Sequence, residues 1–198
     1  MKKITVIFLV ALISFISTNT FANDNVFIKK NIVVNATVGI GNSIYGGGYS
    51  NKFIPLSISG EYGIKDNLFG NGKGTIGAGL YFGYTGAKEI DDYPIESGQK
   101  ISIGYKYSSI IIGARGALHY QFVKNLDTYA GLMLGYNGAS AKFVGDDIYE
   151  NNAEKSSVGG FAFAIYAGAR YYITEHFGFV GELGYGVSYL NLGLTYKF

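Results

Sequence analysis

The chain has 198 residues, with 16 Lys and Arg against 14 Asp and Glu, and with 30 Gly, 18 Tyr, two Pro and no Cys. The near-neutral charge excludes the basic surface that nucleic-acid binding requires, and without Cys the fold has no disulfide support. Because Gly is interleaved with Tyr, Phe, Ile and Leu, the composition favours strands and aromatic bands over disorder.

Residues 1–22 have the pattern of a secretory signal peptide. Two lysines precede an apolar run at residues 4–16, and a small-residue cleavage site ends at Ala22. The run is shorter than the roughly 20 residues of a membrane-spanning helix, which favours cleavage over an uncleaved anchor. We therefore expect a cleaved signal peptide at residues 1–22 and one folded domain at residues 23–198.

The expected mature chain contains eight segments in which apolar residues alternate with small or polar ones. In chain order they lie at about residues 31–41, 54–64, 75–85, a longer stretch ending near 122, 128–137, 160–173, 177–186 and 190–198. Alternation with a period of two is a strand signal, and no segment is apolar for long enough to form a membrane helix. Short turns follow the second, fourth and sixth segments, whereas long connections follow the first, third and fifth. This arrangement predicts an all-β fold, an eight-stranded antiparallel up-and-down β-barrel.

The composition of the two faces indicates which side of this barrel meets lipid. A soluble, lipocalin-like carrier would need a charged outer face, but the non-apolar face here has about one charge per strand at most and is otherwise Gly, Ala, Ser, Thr, Asn and Tyr. The apolar face of these segments carries no charge, as expected for a lipid-facing surface. Aromatic residues on that face gather towards strand ends, as in interfacial girdles: Tyr62, Tyr84, Phe122, Tyr136, Phe161, Phe177 and Phe198. We therefore predict a transmembrane barrel.

The final segment, LNLGLTYKF, resembles the terminal signal of bacterial outer-membrane proteins. The longer stretch YAGARYYITEHFGFVGELGYGVSYLNLGLTYKF is similar to the family of outer membrane β-barrel proteins, of the small eight-stranded OmpA/OmpX type. The resemblance implies a cell outer-membrane location, with outer-membrane lipid, lipopolysaccharide and the barrel assembly machinery as partners, and a monomer. It also implies that Leu194, Tyr196 and Phe198 form the assembly signal, so deletion of Phe198 is expected to impair assembly.

An even number of strands and an exported N-terminus place both chain ends in the periplasm. The connections at 86–106 and 138–159 are then extracellular and are the candidate contacts for a host or extracellular ligand.

Several charged residues of the non-apolar face are expected to share the barrel interior with His119: Glu61, Arg115, Arg170, Glu182 and Lys197. In a hairpin closed through "TEH", Arg170 lies opposite Val180, which makes Glu182 its diagonal neighbour. We predict that Arg170 pairs with Glu182 and that Glu61 and Arg115 complete an ion-paired plug, since eight strands leave space only for side chains. The alternative reading of these charges is a gate or a narrow ion path.

These features favour a non-enzymatic outer-membrane protein with an envelope-structural or surface-interaction role. One alternative is an enzyme that modifies lipid A, although the His-x-Ser pairing of a lipid A deacylase is absent and neither His119 nor His176 is well placed. A small-solute pore is another alternative. No catalytic residue, metal or cofactor is expected.

Overall fold

The computed structural model describes residues 25–41, 43–44, 51–94, 100–145 and 156–198. These residues form eight strands: β1 (Ile32–Ile40), β2 (Asn51–Leu68), β3 (Gly74–Pro94), β4 (Lys100–Tyr120), β5 (Leu126–Val144), β6 (Ser156–Tyr172), β7 (Phe177–Tyr185) and β8 (Leu190–Lys197). Each strand pairs antiparallel with the next, and β8 pairs with β1, so the sheet closes into a barrel. The predicted all-β, eight-stranded up-and-down barrel is confirmed. The predicted signal peptide lies outside the described residues.

The barrel has two different ends. At the short-turn end, the connections β2–β3, β4–β5 and β6–β7 are residues 69–73, 121–125 and 173–176. The other end, which we call the long-turn end, carries the connections at 41–50, 95–99 and 145–155 and the tighter β7–β8 connection at 186–189. No helix among the described residues is long and apolar enough to cross a membrane.

The middle strands are longer than the sequence pattern predicted. Residues 86–94 and 100–106, predicted as a long connection, continue β3 and β4 in unbroken register from Gly86↔Ser108 to Pro94↔Lys100. Residues 138–144 and 156–159, also predicted as connection, continue β5 and β6. In residues 100–107 (KISIGYKY) and 138–144 (GASAKFV) apolar residues still alternate, but with the parity opposite to that of outward residues such as Ile110 and Leu134. The pattern that marks the outward-facing strands therefore ends there, while the backbone ladder persists.

The two faces of the wall differ as the alternation predicted. Outward residues are large and apolar and remain exposed, as in Leu80 at 70% and Phe161 at 75% of their possible surface. Inward residues are small, polar or charged and are largely buried; among them are Asn35, Ser59, Thr75, His119, Arg170 and Thr195. Apolar residues outside and hydrogen-bonded polar residues inside are the reverse of a soluble domain and suit a wall surrounded by hydrocarbon.

The last strand completes the wall. Lys197 pairs with Val33 of β1, and the backbone N–H of Phe198 donates to Ile32 O at 2.9 Å. Tyr196 and Phe198 project outward, exposed, with ring centroids 4.9 Å apart. Closure satisfies backbone groups that would otherwise meet lipid. Recognition of Leu194, Tyr196 and Phe198 by assembly machinery stays a prediction.

Candidate functional site: the charged barrel interior

A four-residue cluster crosses the interior near the short-turn end; we call it the Arg170 cluster (Glu61, His119, Asp127 and Arg170). Arg170 Nη1 donates to Asp127 Oδ2 at 3.0 Å, and Nη2 donates to Glu61 Oε2. Asp127 and Arg170 lie directly opposite each other on β5 and β6, whereas Glu61 reaches across the lumen from β2. Arg170 has no solvent-exposed surface. A guanidinium so fully desolvated is stabilised only because carboxylates accept its hydrogen bonds.

His119 links the same two carboxylates from the opposite side. Its Nε2 lies 2.6 Å from Glu61 Oε1 and its Nδ1 lies 2.8 Å from Asp127 Oδ1. A histidine ring donates from both nitrogens only as the imidazolium. With His119 charged, the Arg170 cluster contains two cations and two carboxylates and is electrically neutral, which is the arrangement that a buried site requires.

A second ion pair lies nearer the long-turn end. Arg115 of β4 donates from Nη2 to Glu182 Oε1 of β7 at 2.6 Å, and the Tyr129 hydroxyl donates to the same oxygen at 2.8 Å. The Arg115 guanidinium lies 3.8 Å from the centre of the Tyr166 ring, within the range of a cation–π contact. The pair spans the lumen between two strands that are not neighbours in the sheet. Beside it is a cavity of about 30 Å³ lined in part by Tyr81 and Ser188, enough for about two waters.

The residues before β1 fold back into the short-turn end. Val26 and Phe27 are both buried, and the Phe27 ring lies 4.3 Å from the His119 ring, centre to centre. Three hydrogen bonds hold this short stretch to the wall: Thr75 Oγ1 donates to Phe27 O at 2.8 Å, Val26 N to Gln121 Oε1 at 2.5 Å, and Lys197 Nζ to Val26 O at 3.0 Å. Val26 and Phe27 thus form an apolar lid, which covers the Arg170 cluster on the side of the short-turn end.

The predicted pairing of Arg170 with Glu182 is wrong. Arg170 does lie opposite Val180, as predicted, but it contacts Asp127 and Glu61, while Glu182 accepts from Arg115. A diagonal neighbour on an adjacent strand is about 7–8 Å away, farther than a residue directly opposite. Asp127 occupies that opposite position, so it takes the guanidinium.

Lys197 does not join the predicted ion-paired set. Among the described residues its ammonium contacts a carbonyl of the N-terminal stretch, not a carboxylate. Asp127, Val26 and Phe27 were missed from the sequence. Asp127 lies two residues before inward-facing Tyr129 and so points to the same side of the strand. This parity is the sequence signal that could have identified Asp127 as a residue of the interior.

Both histidines lie within contact distance of oxygen atoms. Both nitrogens of His119 are occupied by carboxylates, and His176 lies in a short turn with Nδ1 2.8 Å from Lys197 O. Within the described residues no group of His, Asp and Glu has an arrangement that could hold a metal ion.

At the long-turn end, part of the sheet projects beyond the rest of the barrel. The last pair between β1 and β2 is Val38↔Leu56, and the pairing of β6 with β7 begins only at Ile165↔Tyr185. Strands β3 to β6 continue past this level. Residues 156–164, which we call the β6 edge, therefore pair with β5 alone among the described residues. At about 3.3 Å per residue this edge is about 30 Å long.

The closed ring of eight up-and-down strands, apolar outside and polar inside, defines the class of protein: its fold is that of the outer-membrane β-barrel proteins. A major outer membrane protein from Thermus thermophilus is 14% identical, with a TM-score of 0.55, and the match covers 85% of this chain and 99% of that chain. The likeness shows the fold.

Two further solved structures are of Ail, the attachment invasion locus protein of Yersinia pestis. Ail in complex with the heparin analogue sucrose octasulfate is 17% identical with a TM-score of 0.42, and Ail without that ligand is 16% identical with a TM-score of 0.40. Each match covers 86% of this chain and 100% of Ail. No model of a known protein family matches the sequence, and no curated protein matches it.

Replacing Glu182 by Ala is expected to lower the free energy of unfolding by about 2 kcal/mol, because the Arg115 guanidinium and the Tyr129 hydroxyl lose their shared acceptor. The neighbouring cavity allows water to solvate Arg115 in part and limits the loss. Urea unfolding in lipid vesicles measures the difference. Glu182→Gln, which keeps an acceptor oxygen, should lose less; an equal loss in both variants would show that the hydrogen bonds contribute nothing.

Proposed function

We propose that the protein is a non-enzymatic outer-membrane barrel with a plugged lumen, and that it displays its projecting sheet outside the cell as an interaction surface. The β6 edge is the observation that carries this proposal. Residues 156–161 are all exposed, with Val158 at 72%, and the edge SSVGGFAFA contains neither Lys nor Pro. Natural sheets usually protect a long edge with such residues, because unpaired backbone groups recruit another strand.

The partner proposed for this edge is an extended segment of a host or extracellular protein. Strand addition gives affinity through backbone hydrogen bonds and specificity through alternate side chains. The predicted contact regions 86–106 and 138–159 fall partly on the projecting strands, so the contact surface we propose is a sheet edge more than flexible loops. The carboxylates at 146–155 lie outside the described residues.

The plugged lumen argues against the pore and the enzyme. In a water-filled channel the inward side chains would be exposed to solvent, whereas Arg170, His119 and Asp127 are buried across the interior. The Arg115–Glu182 pair and the Phe27 lid add further layers above and below. The same desolvation leaves no route for a lipid to reach His119 as a catalytic base.

Adhesion measurements test the interaction role. Cells of a non-adherent strain would display the protein, and their attachment to a cultured epithelial layer would be compared with cells lacking it. Ser156→Lys with Val158→Lys places two charges on the β6 edge and is expected to remove most of the protein-dependent attachment, because charged side chains on an edge block strand addition. The matched control is Ala141→Lys with Ala139→Lys, because these residues lie directly opposite on β5 but not on an edge. Equal attachment by both variants would contradict the proposal.

The orientation can be tested because the chain contains no Cys. Val158→Cys at the β6 edge is expected to react with a membrane-impermeant maleimide on intact cells. Lys124→Cys, in the short turn 121–125, is expected to react only after the outer membrane is permeabilised. The reverse pattern would place the short turns outside and overturn the proposed periplasmic position of both chain ends.

A further inference from the structure

A cavity of about 200 Å³ lies inside the barrel at its long-turn end; we call it the mouth cavity. The described residues that line it include Ser43, Ile111, Asn137, Ala162, Tyr185 and Gly186. Ile111 and Asn137 lie directly opposite each other on β4 and β5. Ile111 is four residues before Arg115 on the same face of β4, so the mouth cavity lies above the Arg115–Glu182 pair, towards the long-turn end. It is therefore a cup with the plug as its floor.

One side of the mouth cavity is formed by the β7–β8 connection and by the residues that follow β1. Gly186 has a φ of 140°, and a Cβ there would lie 2.5 Å from Phe163 O, so glycine is the residue that lets this connection approach β6 so closely. The backbone N–H of Ser43 donates to Val187 O at 3.2 Å, which holds Ser43 against the same connection. These backbone contacts form the wall without a ligand, as is usual for small-molecule sites.

Two residues of the mouth cavity have buried polar atoms that need a hydrogen-bond partner. Asn137 Oδ1 and Ser43 Oγ are both buried, and neither forms a hydrogen bond with any described residue. Burial of such atoms without a partner costs free energy, so each normally has a partner in the protein, in water or in a ligand. The amide oxygen only accepts, whereas the serine hydroxyl both donates and accepts. A ligand that carries hydroxyl groups can satisfy both atoms.

The volume and the charge of the mouth cavity restrict the class of ligand. A cavity of roughly 150 Å³ accepts a benzene ring, and drug-sized ligands need about 300 Å³ or more, so the mouth cavity suits one six-membered ring with its substituents. None of the described lining residues is charged, and a charged ligand would lose hydration there without gaining a counterion. Ile111, which has no exposed surface, and Ala162 offer apolar contacts. A sugar residue combines hydroxyl groups with an apolar ring face in this way.

We propose that the mouth cavity binds one uncharged sugar residue, with Asn137 Oδ1 and the Ser43 hydroxyl as hydrogen-bonding groups. The inference rests on the proposed outward orientation of the long-turn end, which opens the cavity to the cell exterior. It goes beyond the interaction role of the β6 edge, because it assigns a second site, with a different ligand, inside the barrel mouth. A terminal sugar of an extracellular glycan can reach this cavity, and the plug stops it from passing further.

The test uses the purified full chain in lipid nanodiscs, because sugar-based detergents would compete for the cavity. The methyl glycosides of glucose, galactose, mannose and N-acetylglucosamine are titrated separately, and binding is followed by saturation-transfer difference NMR. At least one of them is expected to bind with a Kd on the order of 1 mM, the range for ligands of this size. Methyl glucuronide, which adds a carboxylate to the glucose ring, is expected to bind more weakly than the best of the four.

Two variants locate the binding site. Asn137→Leu removes the amide and is expected to weaken binding about tenfold, the effect of one hydrogen bond. Ala162→Leu fills the mouth cavity and is expected to abolish binding. The matched controls are Asn71→Leu in a short turn and Ala130→Leu on the outward face of β5; both residues are exposed, and both controls should bind as the unmodified protein does. A heat-modifiable gel shift verifies that each barrel is folded.

Three results would overturn the proposal: no saturable binding of any of the four glycosides, equal binding by Ala162→Leu and the unmodified protein, or equally tight binding of the glucuronide. These outcomes are separable from the proposed function. The adhesion assay changes Ser156 and Val158, and the maleimide assay reports orientation in cells, whereas the titration measures binding in vitro. Absence of sugar binding with intact adhesion would remove the sugar site and leave the interaction role standing.

Discussion

Replacing Arg170 by Met is expected to destabilise the barrel by roughly 3–5 kcal/mol, the cost of breaking a buried ion pair by removing one partner. Met is apolar and of similar length, so the loss reports charge and hydrogen bonding more than a cavity. The variant leaves Glu61 and Asp127 facing His119 alone, so the buried cluster changes from neutral to a net charge of minus one. Because a domain is typically stable by only 5–15 kcal/mol, much of the protein should fail to assemble.

Urea unfolding in lipid vesicles, followed by the heat-modifiable gel shift, measures this loss. Lys124→Met, in an exposed turn, is the control and should change stability by no more than about 0.5 kcal/mol. In the double variant Arg170→Met with Glu61→Gln, one cation (His119) and one carboxylate (Asp127) remain, so the cluster is neutral again. This variant should recover part of the lost stability. If Arg170→Met unfolded at the same urea concentration as the unmodified protein, the Arg170 cluster would not stabilise the fold.

Replacing Gly168 by Leu is the second substitution expected to have a large effect, about 3 kcal/mol or more. Gly168 faces the lumen on β6, and a Cβ there would lie 2.8 Å from Glu182 Cγ, Gly181 O and Tyr129 Cζ. Overpacking alone costs about 1–3 kcal/mol. A larger side chain must also displace Glu182, which breaks its contact with Arg115.

Gly116→Leu is the matched control for this substitution. Gly116 is a strand glycine on the outward face of β4, and an added Cβ there meets no atom within 4 Å. The control should assemble normally, since an apolar side chain on this face meets lipid. Equal assembly of both leucine variants would show that the lumen has space for a leucine side chain at residue 168, which would contradict a filled lumen.

The architecture was predictable because it depends on local signals. Alternation identified all eight strands, and the short turn between the sixth and seventh fixed their register, so Arg170↔Val180 was derived correctly. A long connection does not fix the register of the two strands that it joins. The extension of β3 and β4 to Pro94 and Lys100 does not keep the outward parity, because the apolar residues of KISIGYKY at 100–107 fall on the alternate positions.

The contacts of the interior were harder to predict than its composition. Cross-lumen pairs such as Arg115–Glu182 join strands that are distant along the sheet, and sequence spacing gives no distance across a lumen. The alternation predicts a fifth segment that begins at Thr128, whereas β5 begins at Leu126, so Asp127 falls just outside the predicted strand and is not identified as a partner of Arg170. The lid formed by Val26 and Phe27 depends on a segment without periodicity, so no pattern indicated it.

We propose that the lumen is plugged and that the protein acts through its surface. Single-channel recording of the purified full chain in a planar lipid bilayer tests it most directly, with a known porin recorded under the same conditions as a positive control. We predict no steady conductance above the bilayer baseline, because the Phe27 lid, the Arg170 cluster and the Arg115–Glu182 pair fill successive levels of the interior. Steady openings of the size that porins show would contradict the plugged lumen and favour a transport function.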